Sequence, residues 1–270
     1  MNTLATPLIA RQPGAIWRVA RKLVPIFAWV AASYVLFITI WSIAARVIDN
    51  PVLLPSFAAT AEAMLRLIAD GTLVPDILAS LRRVFIGFFI ASSIAVPLAM
   101  IMSYVLPLRR LILPIVTLLR PIPPIAWIPI AILWFGIGDS SSYFITALAA
   151  FFPIFLNSFA GGCAVLPRHI HAAQFMGASR RALIMRVYLP SALPHIWTGL
   201  KIGLGQSWMA VVTAELIAAQ SGLGYMIQIN RINLETSAVL VGMVVIGVLG
   251  SVMTVALGYL ERFVLPWQVR

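Results

Sequence analysis

The sequence predicts an all-α polytopic membrane protein of about six transmembrane helices, and three observations carry that prediction. Of the 270 residues 61% are hydrophobic and only 10% charged, against roughly 25% charged residues in a soluble domain. A soluble fold of this length has no interior large enough for so much apolar surface. Four uncharged runs, Leu23 to Ala45, Val84 to Leu108, Ser140 to Leu166 and Thr236 to Leu260, each match the roughly 20 helical residues that cross a hydrocarbon core. The basic residues punctuate the apolar runs and form no continuous stripe. The formal charge of +11 therefore points to membrane topology and not to nucleic acid.

Six spans fit the pattern, at 24–45, 84–106, 111–138, 143–165, 193–217 and 237–260. Arg11, Arg18, Arg21 and Lys22 precede the first, which is longer than the h-region of a signal peptide and reads as a retained span. An even number of spans puts both termini on one side. Arg109, Arg110, Arg168, Arg180, Arg181, Arg186, Arg262 and Arg270 join the basic N-terminus there, with Glu261 as the one acid. That Lys/Arg asymmetry predicts N-in and C-in. The opposite side takes Asp49, Glu62, Asp70, Asp76, Asp139 and Glu235. Arg82 and Arg83 fall on it too, where they flank a span and reach headgroups. The chain thus divides into an inner segment (1–23), a first span (24–45), an external segment (46–83), a five-helix core (84–262) with a long inner loop at 167–190, and a tail (263–270).

In the external segment Phe57, Ala61, Met64, Leu65 and Ile68 recur at helical spacing, and Glu62 and Arg66 form an i, i+4 pair. Ser56 is a fitting N-cap and Asp70-Gly71 a stop. This amphipathic helix lies flat on the outer face or packs over the bundle as a lid; spacing alone leaves both open.

The third span holds Pro114, Pro121, Pro123, Pro124 and Pro129, so Leu119 to Pro129 is not a regular helix. Freed backbone groups at membrane depth are tolerated where protein or a water-filled cavity satisfies them. The stretch carries Arg120, Trp127 and Trp134 and is a candidate wall of a solute path; alternatively Arg120 pairs with carbonyls or snorkels. Asn157, in the fourth span, either faces such a path or bonds a neighbouring helix. In the fifth, Lys201, Gln206, Ser207, Trp208 and Thr213 interrupt an apolar run that ends in Glu215. Gln206 and Trp208 are the pathway candidates there, and Gly199, Gly203 and Gly205 allow close helix contact. Cys163 has no partner within the chain and reads as a small buried packing residue.

The chain offers no phosphate-binding loop, no metal-ligand cluster and no nucleophile beside a base. His169 and His171 lie two apart and do not share a helical face. The expectation is a chain that is not itself catalytic and binds no metal or cofactor of its own.

The inner loop begins at Pro167, suited to a helix start; Gly177 suits a break with positive φ, Ser179 caps a second helix, and Leu189-Pro190 ends it. Here Ala172-Ala173, Gly177-Ala178-Ser179 and Leu189-Pro190 resemble the EAA loop of permease subunits of binding-protein-dependent ATP-binding-cassette importers. Ser80 to Gly87, Leu119 to Gly138 and Ser221 to Ile227 are similar to the nitrate, sulfonate, taurine and bicarbonate permeases, in collinear order over roughly residues 50 to 262.

The resemblance implies a type I importer permease fold. It implies assembly with a second copy of the chain, two ATPase subunits that hold ATP and Mg, and a periplasmic or lipid-anchored solute-binding protein, in a bacterial inner membrane and its lipid. His171, Ala172, Ala173, Gln174, Met176, Gly177, Ala178 and Ser179 would then dock in the ATPase and couple its closure to the spans. His171 stands where the family usually has Glu, and Gln174 where a basic residue is common, which leaves open whether an ion pair forms there. The implied solute is a small organic or inorganic anion of the nitrate, sulfonate or taurine kind. Related permeases serve aromatic carboxylates or neutral heterocycles such as pyrimidines and flavins, which stay as alternatives. A stand-alone secondary carrier would need intramembrane acids, of which this chain has Glu215.

Overall fold

The computed structural model describes residues 15–267, with side chains from Ala28 onward except that of Arg180. Arg11 and Arg270 lie outside the described residues, as do the side chains of Arg18, Arg21 and Lys22. Every regular element among the described residues is helical. Four helices are long and apolar enough to cross a membrane, and six spans result when two bent helix pairs are each counted as one.

The described residues form two compact units that divide between Ala59 and Thr60. In the first, α1 (Ala15–Ile48) ends at Asp49, where φ is +47°. Asn50 closes the following turn by accepting the amides of Val52 and Leu53 on Oδ1, and the Trp41 indole donates to Pro55 O at 3.0 Å. Ser56 caps α2 (Phe57–Ala69) by accepting the Ala59 amide, and Gly71, at φ +70°, follows its end. The cap and stop expected from sequence are both present.

In the second unit the part of α2 from Thr60 onward packs through Ala63 and Leu67 onto the core, while Leu65 and Ile68 stay exposed. Ala63 and Leu67 thus form the face turned to the core, and Leu65 and Ile68 lie off it. α3 (Leu73–Tyr104) starts at Leu73 and not at 84, so Arg82 and Arg83 lie within a helix. The third span breaks where its prolines cluster: α4 (Leu106–Leu119) and the segment Pro124–Phe135, which includes α5 (Ile128–Phe135), meet at 94°.

The core is a three-helix layer in which α6 (Asp139–Cys163) packs along both α3 and α9 (Leu189–Ala218). Lipid offers helices no hydrophobic reason to associate, so close backbone approach matters more. Gly199 and Gly203 of α9 supply it: a Cβ at either would stand within 2.9 Å of Asn157 or Ile154 of α6. Gly205 faces open space instead. On α6, Phe151, Phe155 and Phe159 stack at i, i+4 spacing with ring centroids 5.6 and 6.1 Å apart. Cys163 is exposed, contrary to its expected burial. Gly161 and Gly162 take the packing positions just before it.

The inner loop forms α7 (Pro167–Phe175) and then α8 (Arg180–Leu183). Leu189-Pro190 does not end the second helix. A widened π turn, Ile184–Tyr188, leads directly into α9, and α10 (Leu223–Ile232) and α11 (Thr236–Val264) follow. A proline ring inside a helix crowds the carbonyl four residues back, here Arg186 in the widened turn, so the π geometry lets Pro190 join α9.

Candidate solute pathway and coupling segment

The coupling residues expected from sequence form one exposed knob. α7 carries His171, Ala172 and Gln174 exposed and Ala173 buried. Phe175 and Met176 at its tip are 92% and 81% exposed. Gly177 turns the chain at φ +78°, its amide bonded to Gln174 O, and nothing lies within 4 Å of where a Cβ would stand. Ala178 donates to Ala173 O, and Ser179 Oγ accepts the Ala182 amide, as a cap should. Two large apolar side chains thus stand exposed together at a glycine-jointed tip.

Three of the five pathway candidates meet. A cavity of about 500 Å³ lies between the elbow after α4, α6 and α9, and its lining includes Arg120, Asn157 and Gln206. Its volume falls within the roughly 300 to 1,000 Å³ usual for small-molecule sites. Arg120 is its one charged lining residue. Arg120 makes no ion pair among the described residues. Asn157 Nδ2 donates to Pro153 O at 2.8 Å within its own helix. Phe152, Pro153 and Leu156 supply apolar wall.

The two tryptophans stand elsewhere. Trp208 is 5% exposed, packs in the core, and its indole nitrogen lies 3.2 Å from Met253 Sδ. Buried and partnered so, it is not among the residues that line the cavity. Trp127 packs beside Ile128, Ala131 and Ile145, with its indole nitrogen buried and without an acceptor among the described residues. Lys201 is also removed from the path: its Nζ donates to Glu261 Oε2 at 2.8 Å, tying α9 to α11.

Sequence reasoning missed a buried polar cluster at the other end of α9. Arg83, 2% exposed, does not reach headgroups. Its Nε donates to Asp139 Oδ1 (2.8 Å) and its Nη1 to Glu215 Oε1 (2.7 Å) and Ser221 O (2.6 Å). Its Nη2 donates to Ser221 Oγ (2.8 Å). Arg82 pairs with the other oxygen of Asp139. Glu215, 1% exposed, also accepts from Ser80 Oγ and the Gly224 amide. The signal was available: Ser80 to Gly87 and Ser221 to Ile227 were both legible as motifs, but no spacing rule says that two motifs so far apart in sequence are partners.

A model of the family described as binding-protein-dependent transport system inner membrane component matches residues 85–266. The taurine transport system permease protein of Escherichia coli is 38% identical over 232 residues, 84% of each chain. The nitrate import permease protein of Leptolyngbya laminosa is 29% identical over 197 residues, 73% of this chain and 71% of that one. Among solved structures, an inward-facing conformation of the MetNI methionine ABC transporter superposes with a TM-score of 0.65 at 22% identity, over 73% of this chain and 97% of that chain, which shows a shared fold.

Proposed function

Because the chain belongs to the binding-protein-dependent transport system inner membrane component family, we propose that it forms the solute path of an ATP-binding-cassette importer and carries a small oxyanion through the cavity beside Arg120. The single observation that carries the anion reading is an arginine with no ion-pair partner among the described residues on a cavity wall between membrane helices. Taurine and nitrate, the solutes named for two relatives, share compact oxygens over which negative charge is spread. A guanidinium meets such a group with two parallel N–H donors. Asn157 and Gln206 line the same cavity and would hold the solute laterally, with apolar walls around it.

The knob from His171 to Ser179 docks in a partner ATPase, which holds the ATP and Mg; this chain supplies no catalytic group. Two copies of the chain, two ATPases and a periplasmic or lipid-anchored receptor make the working complex in the inner membrane. N-in and C-in topology places the knob in the cytoplasm beside the ATPase. ATP binding draws the ATPases together, the knobs move with them, and the path opens outward; hydrolysis resets it. Against a stand-alone carrier stands the pairing of Glu215, whose carboxylate is already committed to Arg83 and Ser80.

Gly177→Asp tests the docking role. Asp tolerates the left-handed backbone better than most residues, and the tip has room for it. The variant is expected to insert normally and lose solute-stimulated ATP hydrolysis in the reconstituted complex. Full stimulation after that change removes the knob from the mechanism.

A further inference from the structure

The buried cluster around Arg83 belongs neither to the solute cavity nor to the docking knob; on α9 it stands at Glu215, beyond Ile202 and Gln206 of the cavity as counted from the knob. α9 runs without interruption from Leu189, at the end of the knob segment, to Ala218, about 45 Å at 1.5 Å per residue. Through the π turn it continues back to α8, so a displacement of the knob acts on one end of a rod.

The other end of that rod is fastened from three directions. Glu215 of α9 meets Ser80 and Arg83 of α3. Arg83 reaches on to Asp139 at the start of α6 and to Ser221 in the elbow before α10. The first amides of a helix have no partner within it, and here three of them at the start of α10 are capped by side chains from other helices. Asp76 takes the Gly222 amide (2.7 Å), Ser80 that of Leu223 (2.9 Å) and Glu215 that of Gly224 (2.9 Å). Gly138, just before α6, donates to Ala218 O. The fit leaves no slack: a Cβ at Gly222, where φ is +105°, would stand 2.5 Å from Glu215 Oε1.

Apolar contact between helices is non-directional and permits sliding. A guanidinium whose donors are divided among Glu215, Asp139 and Ser221 fixes the distance and orientation of each of them at once. We propose that the Arg83–Glu215 pair is the positioning element that locks α3, α6, α9 and α10 into one moving body, so that a displacement imposed on the coupling knob reaches the far end of the solute path. The proposal rests on the importer reading above.

The test uses the complete complex with its ATPase and receptor in liposomes, and reads the amount of solute moved per ATP hydrolysed. Glu215→Gln keeps the side-chain shape and removes the charge. The complex is expected to assemble and to keep its solute-free hydrolysis, while solute per ATP falls about tenfold, the size of a typical coupling between sites. Arg83→Lys keeps the charge, loses the branched donors that reach Asp139 and Ser221 as well as Glu215, and is expected to fall between wild type and Glu215→Gln. Lys201→Met removes an ion pair of α9 outside the cluster and is expected to leave the ratio unchanged. An unchanged ratio in Glu215→Gln overturns the proposal. So does an equal fall in Lys201→Met, or failure of both cluster variants to assemble, which would reduce the pair to a folding staple. Absence of solute-stimulated hydrolysis in the wild-type complex would instead strike at the importer reading.

Discussion

Arg83 lies within the apolar helix α3 and Arg120 just past the end of α4, and the structure gives them opposite surroundings. Arg83 is sealed from solvent and spends its donors on Asp139, Glu215 and Ser221. Arg120 looks into a cavity with no carboxylate in its lining. A buried charge without a partner is costly, so the first arrangement is stable by itself. The second leaves the charge facing an open cavity, which on the proposed function is where an anion would complete it. On the proposals above, full satisfaction makes Arg83 a joint, and an unpaired charge on a cavity wall makes Arg120 a site.

The comparison breaks most visibly at the joint. Arg83→Ala leaves Glu215 buried with its charge uncompensated, a change that costs about 3 to 5 kcal/mol when one partner of a buried pair is removed. Thermal unfolding of the purified complex in detergent should show a large fall in midpoint, and a midpoint close to wild type would deny the cluster its structural weight. Arg120→Gln should invert the pattern. Charge-assisted hydrogen bonds contribute about 1.5 to 3 kcal/mol, which corresponds to roughly ten- to hundredfold in affinity. Transport of a small oxyanion should fall within that range while the unfolding midpoint stays put. Loss of stability without loss of transport would make Arg120 a structural arginine and erase the contrast.

The same pair shows what the sequence disclosed and what it withheld. Arg120 was legible because five prolines within sixteen residues break the helix beside it, and local backbone chemistry is written locally. The knob was legible for the same reason: Gly177, Ser179 and Pro167 each state a backbone requirement that the structure meets at φ +78°, at the Ala182 amide and at the first turn of α7. Arg83 was misread as a headgroup anchor because its partners, Asp139 and Glu215, arrive from α6 and α9. Pairing across helices is fixed by packing geometry that no single-span pattern encodes. Trp208 failed for a related reason. An indole in a span reads as polar from sequence, yet here it packs in the core with Met253 beside its nitrogen, leaving Gln206, two residues before it, to face the cavity.

Lys201 supplies the smallest expected effect and sharpens the comparison from a third direction. By sequence it resembled Arg120, a cation within the fifth span; by geometry it resembles Arg83, since Glu261 holds it at 2.8 Å. It differs from Arg83 in that its side chain and that of Glu261 are 31% and 28% exposed, so solvent and salt screen the attraction. Pairs of this kind contribute about 0 to 1 kcal/mol. Lys201→Met should therefore lower the unfolding midpoint slightly, and the gap from wild type should close as salt is raised, because screening removes the same interaction in both proteins. Anion transport should be unchanged. A transport loss as large as that of Arg120→Gln, at an unaltered midpoint, would mean that Glu261 releases the lysine to the solute during the cycle, and that an ion pair seen in one conformation does not by itself separate a joint from a site.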